Sequence, residues 1–299
     1  MTELALAVDI GGTKMAAGLV DRRGQLVFRA HVPTRTTVGG DASSEEASWL
    51  WSDVAQLIGD VQHQAPAGQR IVTCGVGCGG PMGPHGQTVS PLNIAGWRDF
   101  PLLDHVRELT GLPTFIDNDA KALAVGEGWV GAAKGVDNFI GMVVSTGVGG
   151  GIVLNGRLLE GRLGNAGHIG HVVVEPDGRP CPCGGQGCLE AEAAGPALAD
   201  ISGGPPADAS PELIARTGTL VGRAVASVVN LLDLQLAVIS GSVALGFGTP
   251  FFDAAQREVD ARCRLDFARG ARVVPGALGD QGPLIGAARV GWCGAEALL

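Results

Sequence analysis

The chain of 299 residues holds 49 glycines and 17 prolines, is 45% hydrophobic and 17% charged, and sets 21 cations against 30 acids for a net charge of −9. Irregularly spaced glycine excludes collagen, and the apolar fraction excludes a disordered chain. The acidic balance gives nucleic-acid backbones little electrostatic reason to bind.

The length suits two lobes of roughly 100 to 200 residues each. Part of the Gly and Ala excess, with Arg preferred over Lys, is what a GC-rich genome would produce. No apolar run reaches the ~18 residues of a spanning helix, and Met1-Thr2-Glu3 lacks a basic and apolar leader pattern. A soluble, cytoplasmic protein with no membrane partner is expected. Seven cysteines, an odd count, do not suggest a secreted disulfide framework.

Leu4 to Asp9 predicts a strand, Gly11-Gly12 breaks it, and Lys14 to Val20 resumes it. Asp21-Arg22-Arg23-Gly24 then turns into a third strand through His31, completing an antiparallel meander. Ser43 with Glu46 forms a capping box for a helix to about Gln64. Arg70 to Gly77 reads as a buried strand, and Cys78 to Gly96 as a long loop of the kind that often carries function. Asp99 is placed to cap a helix over Phe100 to Thr110, stopped by Gly111; a strand Thr114 to Ile116 leads into a helix from Asp119 to Gly131.

The opening pattern then recurs. Phe139 to Ser145 is a strand, Gly147 to Gly151 a glycine turn, Ile152 to Leu154 a second strand, and Asn155-Gly156 a hairpin signal before Arg157 to Leu159. Two strand, glycine-turn, strand units make an internal duplication of architecture, from which two lobes follow. Beyond a loop at Ser202 to Pro211 come helices over Pro211 to Asp233, Pro250 to Cys263 and from Pro283, with strands Leu236 to Ser240 and Arg272 to Pro275. The apolar stripe Leu213, Ile214, Thr217, Leu220, Val221, Val225 and Val228 reads as core.

Asp9-Ile10-Gly11-Gly12-Thr13-Lys14 puts a carboxylate at a strand end before two glycines. Bare glycine lets backbone N–H groups approach a phosphate, Thr13 adds a hydroxyl, and Asp9 can hold a hydrated Mg²⁺. An ordinary glycine hairpin is the other reading. Ser145-Thr146-Gly147-Val148-Gly149-Gly150-Gly151 repeats the offer, so two hairpins could clamp one nucleotide. A Walker loop is excluded because no lysine follows a glycine, and a dinucleotide fingerprint from Gly147 fails at Ile152. Asp117-Asn118-Asp119 lies at a strand-to-helix junction, where either a helix cap or a base for phosphoryl transfer fits.

The most specific spacing joins His171 to Cys181, Cys183 and Cys188, a Cys₃His set suited to a closed structural zinc site with no position left for an activated water. Redox cysteines are the alternative, without the Cys-x-x-Cys spacing. Zinc would fix His168, His171 and Glu190 in one place, a recognition site for a polyhydroxylated ligand.

Together Asp9 to Lys14, Ile116 to Ala120, Ser145 to Gly151, Gly167 to His171 and Cys181 to Glu190 resemble the ROK family (repressors, open reading frames, sugar kinases) of the actin-like ATPase superfamily, over nearly the whole chain. The resemblance implies an α/β, two-lobed actin-like ATPase (ribonuclease H-like) fold with a structural zinc loop. The expected lobes are residues 1–116 plus 283–299 and residues 117–282. ATP, Mg²⁺ and a sugar would meet in the cleft, with transfer usually to O6 of a hexose or N-acylhexosamine. By position it implies Asp119 as catalytic base, with Asn93, Asn118, Asp119, His168, His171 and Glu190 at the sugar. Gly11, Gly12, Thr13, Thr146 and Gly147 would contact phosphate, with Asp9 and Lys14 beside them, and Gly241-Ser242 would hold the nucleoside. His171 would serve zinc with one ring nitrogen and sugar with the other.

One position departs. Many glucokinases of the family carry Glu where His168 stands, which changes the hydrogen-bond count at the sugar. Ala166-Gly-His-Ile-Gly-His171 is similar to bacterial N-acetylmannosamine kinases, whereas Asn93-Ile-Ala-Gly-Trp97-Arg98 looks more like glucokinases. The expectation is an ATP-dependent hexose kinase, with N-acetylmannosamine as alternative sugar and polyphosphate open as donor. A sugar-sensing regulator without kinase activity is the alternative of another class; it needs a helix-turn-helix for which a first strand at Leu4 leaves no room. The resemblance also implies a homodimer or homotetramer, and the acidic balance leads to the expectation of no nucleic-acid partner.

Overall fold

A computed structural model describes residues 2–35 and 44–298; Ser43 of the expected capping box lies outside them. In chain order the strands are β1 (Thr2–Ile10), β2 (Lys14–Asp21), β3 (Leu26–Pro33), β4 (Gln69–Cys78), β5 (Thr114–Asn118), β6 (Phe139–Val144), β7 (Val148–Leu154), β8 (Arg157–Leu158), β9 (Leu236–Ser240) and β10 (Arg272–Pro275). The helices are α1 (Ser44–Gln62), α2 (Leu102–Thr110), α3 (Asp119–Val130), α4 (Leu189–Ala193), α5 (Gly195–Ser202), α6 (Pro211–Leu232), α7 (Ser242–Phe247), α8 (Thr249–Arg262) and α9 (Gly282–Glu296).

Two compact units divide the chain: Met1–Val130 with Glu160–Ala166 and Asp280–Leu299, and Gly131–Leu159 with Gly167–Gly279. The first unit carries a sheet in the order β3-β2-β1-β4-β5, and the second a sheet in the order β10-β9-β6-β7-β8. Each opens with an antiparallel meander, to whose first strand a fourth strand adds in parallel and a fifth adds in parallel to the fourth. The duplication expected from the two glycine-bearing repeats is therefore a duplication of sheet topology.

Alternation along β1 builds the first unit. Leu4, Leu6, Val8 and Ile10 join Leu50, Val54, Ile58 and Val61 of α1 and Leu102 and Val106 of α2 in one core. Ala5 and Ala7 face the other way, toward Leu284, Ala287, Ala288 and Trp292 of α9. Small residues there bring helix against sheet: a Cβ on Gly75 would lie 1.8 Å from the Ala287 carbonyl oxygen. α3 meets α9 as closely, since a Cβ on Gly286 would lie 2.3 Å from the Ala122 oxygen. That packing places α3 in the first unit, whose first segment runs to Val130.

In the second unit Ile140, Met142, Val144 and Ile239 pack on α6 and α8. Leu213, Leu220, Val221, Val225 and Val228 of the expected α6 stripe lie in that core, with Ile214 partly buried beside it and Thr217 fully buried.

Three local readings change. Gly149 to Gly151 belong to β7 instead of a turn, paired with Val143, Met142 and Gly141 of β6, and at Gly150 a Cβ would press within 3.1 Å of Gly141 O and of Ile169 Cγ2. α2 begins at Leu102 after Pro101, and Asp99, at φ 50°, is a turn residue and not its cap. α4, α5 and α7 form where no helix was expected. No helix of the described residues is long and apolar enough to cross a membrane.

Candidate active site

Parallel pairing brings three strand ends of the first unit level. Asp9 of β1 pairs with Gly77 of β4, and Gly77 with Asp117 of β5. The ligand-binding edge of a parallel α/β sheet is its carboxyl end, and here it carries acids. A Cβ on Gly77 would lie 3.6 Å both from Asp9 Oδ1 and from the Asp119 Cα, so Asp119, first residue of α3, stands beside Asp9. Burial first, and the Asp119 charge second, push the Asp9 carboxyl up to about 7. Burial also raises Asp119, whose own and the following backbone N–H partly offset it. Asp117 is raised to about 6 by burial despite the Lys121 ammonium 2.9 Å away. Such a cluster favours whatever neutralises it, a divalent cation or a proton in transit.

The two readings of Asp117-Asn118-Asp119 fall on different residues. Asn118 Oδ1 accepts from the Ala120 and Lys121 N–H groups at 3.0 and 3.4 Å, so Asn118 caps α3 and its amide nitrogen alone is left for a ligand. Asp119 spends Oδ1 on the Ala120 N–H.

After β1 the chain reverses through Gly11-Gly12-Thr13. Thr34 holds the turn, its Oγ1 donating to Gly11 O at 2.7 Å and its N–H to Thr13 O at 2.9 Å. Thr13 and Lys14 are exposed. Gly12 abuts Asn93: a Cβ on Gly12 would lie 2.5 Å from the Asn93 Cβ, so a bare Cα is required for the glycine turn and the asparagine loop to meet.

In the second unit Ser145-Thr146-Gly147 links β6 to β7. Ser145 Oγ and Ser242 Oγ share a hydrogen bond of 2.9 Å, which joins this turn to Gly241-Ser242. Gly241 has φ 101°, and a Cβ there would lie 2.3 Å from Val144 O, so glycine is needed twice over.

His171, Cys181, Cys183 and Cys188 place their four ligand atoms within 4.8 Å of one another. Sulfurs around a tetrahedral zinc at ~2.3 Å lie ~3.8 Å apart; Cys183 Sγ and Cys188 Sγ are 3.8 Å apart, as are Cys181 Sγ and His171 Nδ1. The donor set fits a structural zinc, and with Nδ1 turned to it the Nε2 of His171 stays available. His168 lies alongside, its ring 6.1 Å from that of His171 and tilted by 22°. Glu190, on α4 behind Cys188, accepts from the Val148 N–H through Oε2 at 2.9 Å.

Three residues of these surroundings were not anticipated. Buried Lys121 bridges Asp117, Glu160 at 2.8 Å and Gly164 O at 2.9 Å. Buried Glu192 ties the cysteine loop to α6, accepting from the Arg179 N–H at 2.6 Å and from Arg216 Nη2 at 2.5 Å. Arg98 gathers carbonyls of the Asn93 loop. Lys121 and Glu192 read as ordinary helix charges until the fold supplies their partners.

The sequence pattern of the ROK family matches residues 5–291. An N-acetylmannosamine kinase of Yersinia pseudotuberculosis is 35% identical over 258 residues, 81% of this chain and 84% of its own. The ROK hexokinase of Thermus thermophilus superposes with a TM-score of 0.82 at 31% identity, covering 98% of this chain and 99% of its own. A ROK family glucokinase from Streptomyces griseus, in complex with glucose and AMPPNP, gives 0.82 at 29% identity over 97% and 99%.

Proposed function

The chain belongs to the ROK family as a sugar kinase, and from that premise we propose that it transfers the γ-phosphoryl group of ATP to O6 of a glucose-type hexose. The observation that carries this reading is Asp119 opening α3 beside Asp9 at the carboxyl ends of β1, β4 and β5.

In this reading Asp119, raised by burial, orients the attacking hydroxyl and takes its proton as the new O–P bond forms and the bond from the γ-phosphorus to the bridging oxygen breaks, ADP leaving with the electron pair. Asp9 holds a hydrated Mg²⁺, which when bound neutralises phosphate charge. Gly11, Gly12, Thr13, Thr146 and Gly147 offer N–H and hydroxyl donors to the phosphates with Lys14 beside them, and Gly241-Ser242 hold the nucleoside. Asn93, the Asn118 amide, His168, His171 Nε2 and the second oxygen of Glu190 contact the sugar. Zinc in the Cys₃His set fixes His171 and Glu190 and does no chemistry.

A second sugar, N-acetylmannosamine, is favoured by His168, where neutral imidazole offers one acceptor in place of a carboxylate, and by the 35% identity to a kinase of that name. A turnover panel crossing glucose, N-acetylmannosamine, N-acetylglucosamine, mannose, fructose and allose with ATP and polyphosphate tests both. The hexose reading expects glucose or mannose with ATP to give the highest kcat/KM; an N-acylhexosamine leading by tenfold would replace it. No turnover anywhere, with sugar binding intact, would favour a regulator. Cytoplasmic location and a homodimer or homotetramer belong to the same reading, the latter checked by sedimentation.

A further inference from the structure

The loop between β4 and α2 bears Asn93, and its shape depends on one side chain outside the sugar-contact set. Two successive turns make up its segment 91–97, Ile94 N–H to Pro91 O at 3.1 Å and Trp97 N–H to Ile94 O at 3.2 Å. Three of its carbonyls converge on one guanidinium nitrogen: Arg98 Nη1 donates to Pro91 O and Ile94 O, both at 2.9 Å, and to Trp97 O at 2.6 Å. Nη1 carries two hydrogens, so one is shared, and the carbonyl cluster is satisfied through a single cation.

Below, the loop is anchored on apolar surface. Ile94 and Trp97 are each 1% exposed. The Trp97 ring stacks on Phe100 at 4.3 Å and 4°, and its Nε1 donates to Ala47 O at 3.4 Å. Asn93 itself is exposed, and its Cβ sits against bare Gly12 of the phosphate turn. Its position is thus set from two sides, by the aromatic anchor beneath and by the cation that draws the carbonyls of both turns together.

We propose that Arg98 is a positioning residue for sugar recognition, holding the turn 91–97 so that Asn93 rests on Gly12. This rests on the sugar-kinase reading of Asn93. Arg98 touches neither substrate in that reading and acts through backbone carbonyls alone.

The test compares wild type, Arg98→Met, Arg98→Lys, Asn93→Ala and the Arg98→Met/Asn93→Ala double variant. Rates are measured over both substrates, with peptide-level hydrogen exchange over residues 91–97 and melting temperature. Arg98→Met should raise sugar KM on the order of 10- to 100-fold, the cost of misplacing a contact by about 1 Å, with ATP KM unchanged and exchange at 91–97 about 5- to 10-fold faster. Arg98→Lys, retaining a cation without the fork, should fall between. The double variant should show the sugar KM of Asn93→Ala alone, which a general loss of stability would not produce.

Unchanged exchange in Arg98→Met, a sugar KM within twofold of wild type, or multiplicative losses in the double variant would each overturn the proposal. Failure of the parent reading appears elsewhere, as a wild-type chain that turns over no sugar or an Asn93→Ala variant with wild-type KM, and the sugar clause would fall with it.

Discussion

Glu190 Oε2 accepts the Val148 backbone N–H at 2.9 Å and stands 3.0 Å from where a Cβ on Gly147 would be. The acid assigned to the sugar therefore also fastens the glycine turn assigned to phosphate, within one unit and directly behind a zinc ligand.

Replacing Glu190 separates these roles. Glu190→Gln keeps an oxygen for the Val148 N–H and should raise sugar KM while leaving ATP KM near wild type. Glu190→Ala strands that N–H, a loss of about 1–3 kcal/mol, and should raise both KM values. Initial-rate kinetics over the two substrates decide the matter. An alanine variant altered only in sugar KM would mean that the Val148 contact has no bearing on the nucleotide.

Asp119→Asn removes the proton acceptor and keeps the shape. Because burial already disfavours the charged form, the amide fits the fold at least as well, and stability should hold. Turnover should drop by about 10²- to 10⁴-fold, with sugar binding by calorimetry close to wild type. A variant retaining most of its rate would take the base role from Asp119.

Some of this was legible in the sequence because backbone requirements choose glycine and ligand chemistry chooses cysteine and histidine. The Cys₃His spacing announces a constraint that holds whatever surrounds it, whereas Gly241 came from the family resemblance. Gly149 to Gly151 misled: they lie in a strand, and at Gly150 a bare Cα serves close approach to Gly141 and Ile169, not a turn. Asn118 and Asp119 could not be told apart, since both residue types cap helices and both accept the Ala120 N–H; the Lys121 N–H, which reaches Asn118 Oδ1, assigns the cap. Lys121, Glu192 and Arg98 stayed invisible because their partners come from other elements or from carbonyls without side-chain identity.

Cys181→Ser tests the metal site. The four ligand atoms form a closed set, so loss of one thiolate should take zinc per chain, by plasma mass spectrometry, from about one to well below it. The loop ends are held separately by Glu192, which bonds the Arg179 N–H and Arg216. The fold should survive with a lower melting temperature, each ~1 kcal/mol lost shifting it by roughly 2–4 °C for a domain of this size. Wild-type protein free of zinc, with the serine variant equally stable, would sink the assignment.

Lys121→Met probes a buried cation, and its cost should depend on pH. The ammonium is 1% exposed and paired with Asp117 at 14% exposure and with Glu160 at 60%. Breaking a buried pair by removing one partner costs about 3–5 kcal/mol, here reduced because both acids reach some water. Asp117 titrates at about 6 in the fold, above its ordinary 3.8, so the folded state binds the proton more tightly and stability from this group falls as pH rises through that window. Lys121 is what holds that value down, and without it the folded pKa of Asp117 rises further. The variant should then lie nearest wild type at pH 5, where Asp117 is largely protonated in both, and fall away toward pH 8, where wild type keeps a paired carboxylate and the variant an unpaired one. Urea unfolding at the two pH values reads this directly. A deficit that is constant, or larger at pH 5, would show that Lys121 acts through packing or Glu160 and not through the Asp117 charge.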